Sequence, residues 1–492
     1  MLLVALIGIP ILAALLCLIL TERPWLEGVT VGSALLTLVV ALLATAGVMA
    51  SGHLEGLGSW LYADALSSLS VLIIAFVGAT AALYSIGYMR ENMKEQSVEH
   101  GAGQWEIRRY YLLFNLFLFA MLVVPVSNSL GVLWIAIEGT TLASLFLVSF
   151  YRTQEALEAA WKYVIVGSVG IALALFGTIL AYYSAVQVLG TSYDLNWSVL
   201  APVAPRLNPS VMRLAFIFIV VGFGTKAGLA PMHTWLPDAH SEAPSPISAL
   251  LSGVLLNTAM YGILRYYALA TPSLGRTFPN ALLLGFGLLS LVIAALFILR
   301  QHDIKRLLAY SSVEHMGIVS VGIAFGGALG LYGALLQMIG HALAKSLMFF
   351  ASGQVGLRYG TKRIDGVAGV VKTMPVTGAI LIVGSLALTG SPPFGIFISE
   401  FTILSAGFQQ GESLAAMIVL ALLAIVFIRF LSPINQMAFG REARGLPRGE
   451  ISRTGLAAMI GSLILVVGLG MVIPAPLGEL LRQSAAVLGG AP

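Results

Sequence analysis

The chain has 492 residues, of which 58% are hydrophobic and only 10% charged, whereas soluble domains carry about 25% charged residues. No soluble core can hide that much apolar surface, so the lipid bilayer is the solvent this composition requires. The formal charge of +4 does not ask for nucleic acid, because basic residues in such a chain sit in short loops and set its orientation.

A span needs roughly 20 apolar residues, which leaves room for about fourteen. Runs of that length, without strict alternation, point to helices rather than a closed barrel, the two ways of satisfying a backbone in lipid. The predicted helices fall near 1–20, 28–50, 61–88, 110–127, 129–150, 160–185, 211–229, 245–268, 279–299, 308–326, 330–355, 374–389 continuing brokenly to 410, 413–438 and 454–474. The expected fold is therefore an all-α polytopic membrane protein. The first run, Met1 to Leu20, lacks a basic flank and a small-residue cleavage site, and reads as a retained span. Cys17 within it is the single cysteine, so the chain offers no disulfide, no CxxC motif and no ligand set for an iron–sulfur cluster. No Walker-type phosphate loop occurs, which speaks against direct use of ATP.

Lys and Arg cluster after odd-numbered spans. Arg90, Lys94, Arg108 and Arg109 follow span three; Arg300, Lys305 and Arg306 follow span nine. Arg358, Lys362, Arg363 and Lys372 follow span eleven, and Arg441, Arg444, Arg448 and Arg453 follow span thirteen. The positive-inside rule places these loops in the cytoplasm and both termini on the outer side of a prokaryotic inner membrane. Arg206, Arg213, Arg265 and Arg276 fall on the predicted outer side and run against this pattern.

Two spans are interrupted. The seventh runs into Ala230-Pro231-Met232-His233-Thr234-Trp235-Leu236-Pro237-Asp238, and the twelfth into Gly390-Ser391-Pro392-Pro393-Phe394-Gly395. Such breaks persist in a membrane only where they are buried or line a cavity. The breaks lie five spans apart, so two five-helix units around them would have opposite orientations, as inverted repeats do. The expected organisation is N-terminal helices over 1–109, a first half-channel over 110–270, a second over 271–440, and a last helix with a short tail over 441–492.

Ionisable residues inside apolar spans are costly, which makes each one a candidate for function. Glu138 stands mid-span with no charged neighbour in its own helix; the alternative is a protonated carboxyl bonded to Thr140 or Thr141. Lys226 lies just before the first break among small residues, where desolvation favours release of its proton; the alternative is snorkelling to the interface. His341 and Lys345 are four residues apart and share a helix face. Glu400 follows the second break, as a proton carrier, as an N-terminal cap of the second half-helix, or as both. Glu314 and His315 either extend a polar route or form an interface pair. His233, Asp238 and His240 surround the first break with Glu242, as a polar lining rather than a metal site. Snorkelling accounts for Lys162 and Lys305.

The stretch Thr225-Lys226-Ala227-Gly228-Leu229-Ala230-Pro231-Met232-His233 through His240 resembles the antiporter-like subunits of respiratory complex I. So do Asp303-Ile304-Lys305-Arg306-Leu307-Leu308-Ala309-Tyr310-Ser311-Ser312, His341-Ala342-Leu343-Ala344-Lys345 and Ser391-Pro392-Pro393-Phe394-Gly395. This superfamily also contains Mrp antiporters and membrane-bound hydrogenases. Within it, Ser312-Val313-Glu314-His315-Met316-Gly317 and Glu400 look most like component F of hydrogenase-4 and formate hydrogenlyase-type complexes.

The resemblance implies fourteen helices with two inverted five-helix repeats, and a proton pathway through Glu138, Lys226, His341, Lys345 and Glu400. Relatives often carry a histidine or lysine in span eight; this chain has Ser252 and Asn257 there, so the central bridge must use water or draw on Glu314 and His315. It also implies other membrane-arm subunits and a peripheral redox module as partners. Any iron–sulfur clusters or nickel–iron site would belong to them, since this chain supplies no cofactor or metal ligands. The leading expectation is a proton-translocating subunit of a complex I-like or hydrogenase-4-type complex. The alternatives are an Mrp-type cation/proton antiporter subunit, moving sodium as well, and a transport-inactive membrane anchor.

Overall fold

The computed structural model describes residues 1–100, 103–191, 193–441 and 445–489; Arg444 of the last basic loop lies outside them. The helices follow the apolar runs. In chain order they are α1 (Leu2–Ile19), α2 (Arg23–Ser51), α3 (Ala65–His100), α4 (Gln104–Val126), α5 (Leu130–Val148), α6 (Gln154–Leu189) and the short α7 (Trp197–Val203). Next come α8 (Pro209–Ala227), α9 (Leu236–Glu242), α10 (Ser245–Leu250), α11 (Leu256–Leu274), α12 (Thr277–Ile298), α13 (Ile304–Phe325) and α14 (Gly327–Tyr359). The chain continues through α15 (Val370–Thr373), α16 (Pro375–Leu388), α17 (Gly395–Gln409), α18 (Ser413–Phe439), α19 (Arg453–Met471) and α20 (Ala475–Val487). Among the described residues, 13 spans are long and apolar enough to cross a membrane. One further crossing is built from two shorter pieces, α16 and α17.

Both expected breaks are present, and neighbouring groups satisfy the freed backbone. After α8, Gly228 turns left-handed at φ +81°. The Ala230 amide then donates to Ser290 Oγ at 2.9 Å, and the Trp235 indole donates to the Thr225 carbonyl at 2.8 Å. The chain resumes as α9. After α16, Gly390 at φ +67° makes the turn into the double proline. A third irregularity was not expected: Leu251–Leu255 forms a π-helical turn between α10 and α11.

Span three was expected to begin at residue 61. Instead, Leu61–Ala63 is a short strand paired antiparallel with Leu54–Gly56, and α3 begins only at Ala65. The apolar Leu61 and Ala63 resemble the start of a helix, but the glycine-rich turn before them reverses the chain and gives both a strand partner. The apolar runs also conceal α7 and α20, which are too short to register as spans.

Small residues let the helices approach closely, as they do in membranes generally. A side chain at Gly222 of α8 would run into the backbone of Gly170 and Ala174 on α6, and Gly287 and Gly317 oppose each other across α12 and α13.

Arg265, which seemed to contradict the loop-charge pattern, is not a loop residue. It is buried in α11, and its guanidinium grips Asp64 through two bonds of 2.7 Å each. Its Nε donates to the Tyr261 hydroxyl at 2.8 Å, and the group lies 4.6 Å from the Trp197 ring centre. Asp64 also accepts from the Ser67 amide at 3.0 Å at the start of α3. Burial works against the Asp64 carboxylate, but Arg265 outweighs it and holds the carboxyl below its usual range. Removing one partner of such a buried pair costs about 3–5 kcal/mol. Asp64→Asn is therefore expected to lower the unfolding free energy in detergent by about 3–5 kcal/mol. In the wild type, the pair's contribution is present above the unfolded carboxyl value of about 3.9 and is lost as pH falls through the lower folded value. Equal stability of variant and wild type at pH 7 would refute this role.

Candidate functional site

Two buried lysines organise the interior. Lys226, at the end of α8, is held by hydroxyls. Its Nζ donates to Thr141 Oγ1 at 2.8 Å and to the Tyr163 hydroxyl at 2.9 Å. Thr141 in turn donates to Glu138 Oε2 at 3.1 Å, and Ser168 donates to Glu138 Oε1 at 3.2 Å. A threonine hydroxyl has one proton to give and lone pairs to accept with, so Thr141 joins ammonium to carboxylate through a directed chain. Ser144 donates to the Thr140 carbonyl at 2.6 Å, so the Tyr163 hydroxyl donates to Ser144 Oγ at 2.8 Å. The Tyr163 ring centre lies 4.5 Å from Nζ, a cation–π contact that helps to replace lost water. Lys226 is fully buried, while Glu138 is only partly so.

The second lysine, Lys345 of α14, is equally buried. It donates to the Leu308 carbonyl at 2.7 Å and to Ser311 Oγ, both on α13. Glu314, one turn further along α13, is the acid within its electrostatic reach. Glu400 of α17 faces both Glu314 and the Gln337 side chain. Its carboxylate occupies the space where a side chain at Gly390 would stand, which gives that glycine a second reason to be small. Glu400 is the sixth residue of α17, and no acidic residue lies in that helix's first turn, so it does not cap the half-helix.

Two histidines lie beside this cluster with their ring centres 5.0 Å apart. His315 Nδ1 accepts from Gln337 Nε2 at 2.7 Å, and Ser399 donates to Gln337 Oε1. His341 Nε2 donates to the Ser252 carbonyl at 3.1 Å, within the π-helical turn. These bonds assign the tautomers: the proton of His315 is on Nε2 and that of His341 on Nε2. The remaining nitrogens, His315 Nε2 and His341 Nδ1, have no partner. Ser252 further shares a hydroxyl bond of 2.7 Å with Ser312.

His240 stands between the two lysine clusters. It is fully buried and neither ring nitrogen has a partner. Its ring centre lies 5.9 Å from Trp235, whose ring lies 5.8 Å from the Lys226 ammonium. On the other side is Phe349 at 6.0 Å, and Lys345 is within electrostatic reach. The first-break cluster divides around it. Asp238 pairs with Lys162 at 3.0 Å and with Arg306, and Glu242 pairs with Lys362 at 3.1 Å. His233 is buried near Tyr310, 6.2 Å between ring centres. Glu314 and His315 lie inside the bundle, not at an interface with solvent.

Sequence reasoning did not single out Tyr163, Gln337, Ser311 or Ser399. Gln337 had a signal: it lies four residues before His341 in an apolar helix, on the same face. Tyr163 had none, because a tyrosine near a helix start reads as ordinary packing.

The transmembrane family described as NADH:quinone oxidoreductase/Mrp antiporter matches residues 127–427, and the complex I chain 5 N-terminal family matches 58–99. A hydrogenase-4 component F homolog from Methylacidiphilum infernorum is 40% identical over 434 residues, covering 88% of this chain and 89% of that one. The chain belongs to this antiporter-like subunit family. A subunit of an archaeal membrane-bound sulfane sulfur reductase superposes with a TM-score of 0.86 at 26% identity, over 99% of this chain and 98% of the other. A subunit of the Mrp complex from Dietzia sp. DQ12-45-1b gives the same TM-score of 0.86 at 17% identity, over 99% and 96%; it shares the fold.

For an antiporter-like subunit, the hydroxyl of Thr141 is the most economical link to test. Thr141→Val keeps the shape and removes the bridge between Glu138 and Lys226. A hydrogen bond to a charged group contributes about 1.5–3 kcal/mol, so ion flux in reconstituted vesicles is expected to fall roughly tenfold or more. Thr141→Ser should restore most of it. Wild-type flux in the valine variant would eliminate Thr141 as a link.

Proposed function

We propose that this chain translocates protons as an antiporter-like membrane subunit of a complex I-like or hydrogenase-4-type oxidoreductase complex. Redox chemistry belongs to partner subunits, which carry the iron–sulfur clusters and any nickel–iron site. Protons pass by way of Glu138, Lys226, His240, Lys345, Glu314 and Glu400, with His315 and His341 beside the second lysine. The basic loops face the cytoplasm of a prokaryotic cell.

The reading rests on how the two lysines are held. A permanent charge buried in this bundle takes a direct ion pair, as Arg265 does with Asp64. Lys226 and Lys345 instead donate to hydroxyls and a carbonyl, and an acid stands one group further on. Such a shell supports the ammonium but does not lock it, so either lysine can give up its proton when the charge of its neighbour changes. The half-buried Glu138 supports a neighbour as well. It opens onto a face with exposed Ile135, Leu142 and Ile165, where a carboxylate against lipid would be costly and a second membrane subunit would shelter it.

The intact complex in vesicles, energised through its redox partners, tests this. Lys226→Ala and Lys345→Ala are each expected to abolish coupled proton movement while the complex still assembles. Unchanged proton uptake in both variants would sink the proposal. Flux that requires sodium and no redox turnover would transfer the chain to the Mrp-type reading.

A further inference from the structure

α18 lies at the edge of the bundle, packed on α12, α16 and α17. Val419, Val426, Phe430 and Ile434 turn inward, and the opposite face is open. Along that open face one seam advances in alternating steps of four and three residues. Ile418, Leu422 and Ile425 come first, then Arg429, Ser432 and Gln436; all are exposed except Leu422, which is half-buried. Such steps are the spacing by which one helix lies along another. The first three residues suit lipid, and the last three do not.

Arg429 is the unusual member. α18 has 27 residues, so Val426 is its middle and Arg429 stands three residues beyond. That is about 5 Å along the axis from the centre of a hydrocarbon layer about 30 Å thick. The side chain is exposed, and no acid, hydroxyl, carbonyl or aromatic ring among the described residues holds it. Arg265, the other guanidinium deep in a span, is clamped by Asp64. Snorkelling does not relieve Arg429. The basic loop begins more than two turns further on, and a helical side chain leans toward its helix N-terminus, here away from that loop. The backbone makes a second demand at the same point. Pro433, four residues on, has no N–H to return to the Arg429 carbonyl, and lipid supplies no donor in its place. Ser432 and Gln436 beside it also have side chains without a partner among the described residues.

We propose that this seam seats a transmembrane helix of another subunit, one that carries an aspartate or glutamate at the depth of Arg429. A carboxylate there forms a bidentate pair with the guanidinium. Ser432 and Gln436 bond to polar groups of the same helix, as such residues do between spans, and its apolar side chains pack on Ile418, Leu422 and Ile425. A lipid phosphate does not fit, because headgroups begin about 15 Å from the midplane. A second copy of this chain does not fit either, because Glu138, the acid it opens to a neighbour, already accepts from Thr141 and Ser168. The inference concerns assembly and stands whether or not the chain moves protons.

The test uses the intact complex. A benzophenone amino acid is placed at position Ile425 in one variant and at position Ser432 in another, and native membranes are irradiated before purification. Both positions are expected to capture the same membrane helix, identified by mass spectrometry, with an Asp or Glu in its apolar stretch. Arg429→Leu removes the charge and suits lipid, so this chain should stay in the membrane at wild-type amount while the captured subunit falls at least tenfold in the purified complex. Arg429→Glu should have the same effect, and changing the captured helix's acid to Arg in that background should restore the subunit. Capture of lipid alone, of a second copy of this chain, or of a helix without an acid would overturn the proposal. Wild-type content of the captured subunit in the leucine variant, or no recovery on charge reversal, would overturn it as well.

Discussion

A charge taken out of water costs several kcal/mol unless a counter-charge or a shell of hydrogen bonds replaces the solvent, and the interior of this bundle is arranged around that cost. Arg265 meets it with a carboxylate and three further polar or aromatic contacts, and in doing so ties α11 to the start of α3. Lys226 meets it with two hydroxyls and an aromatic face. The difference is chemical. A guanidinium never gives up its proton in a protein, and its planar fork fits a carboxylate. An ammonium can give one up, and a shell of neutral oxygens leaves it free to do so. The same membrane penalty thus yields a structural clamp in one place and a titratable group in another.

The helix breaks follow from the same constraint applied to the backbone. A lipid-exposed break would leave amides and carbonyls without partners. Here Pro231, Pro392 and Pro393 are exposed while His233, Trp235, Ser391 and Phe394 beside them are buried, and each break brings its surroundings into use. The Thr225 carbonyl, beside Lys226, is taken by the Trp235 indole, which fixes that ring between Lys226 and His240. Gly390 leaves room for the carboxylate of Glu400. The π-helical turn in the span between the two halves presents the Ser252 carbonyl to His341, so a main-chain group at this point takes part in the polar network.

Much of this was legible in the sequence, and for physical reasons. Length and apolarity locate spans because lipid permits few alternatives, and proline and glycine mark breaks because they cannot continue a helix. Glu138, Lys226, His341, Lys345 and Glu400 stood out because an ionisable residue in an apolar run is rare. What escaped notice lacked such contrast. Leu61–Ala63 is as apolar as a helix start, and only its pairing with Leu54–Gly56 makes it a strand. Tyr163 is ordinary in an apolar helix until Lys226 reaches it across 63 residues of chain, and Thr141, a named partner for Glu138, gives no local sign of Lys226, 85 residues away. Asp64 and Arg265 are 201 residues apart, and nothing local to either predicts the other. Lys305 does not snorkel but is buried and donates to the Ala243 carbonyl, because position in a helix does not reveal which way a long side chain turns.

The histidines add a point that composition alone could not supply. An imidazole satisfied at both nitrogens is a strut; one with a free nitrogen has somewhere to send or receive a proton. His315 and His341 each spend one nitrogen on a fixed partner, Gln337 and the Ser252 carbonyl, and keep the other free. His240 spends neither. Its ring makes no hydrogen bond of good geometry, with the Leu236 carbonyl one turn back as the acceptor within reach, and a buried polar group left unsatisfied carries a desolvation cost of about 1–3 kcal/mol. Aromatic neighbours on both sides supply packing but no hydrogen bond. A cost of that kind is tolerated where the idle atoms have a task, and His240 lies where the first lysine cluster, the second, and the buried Lys305 all bear on one ring.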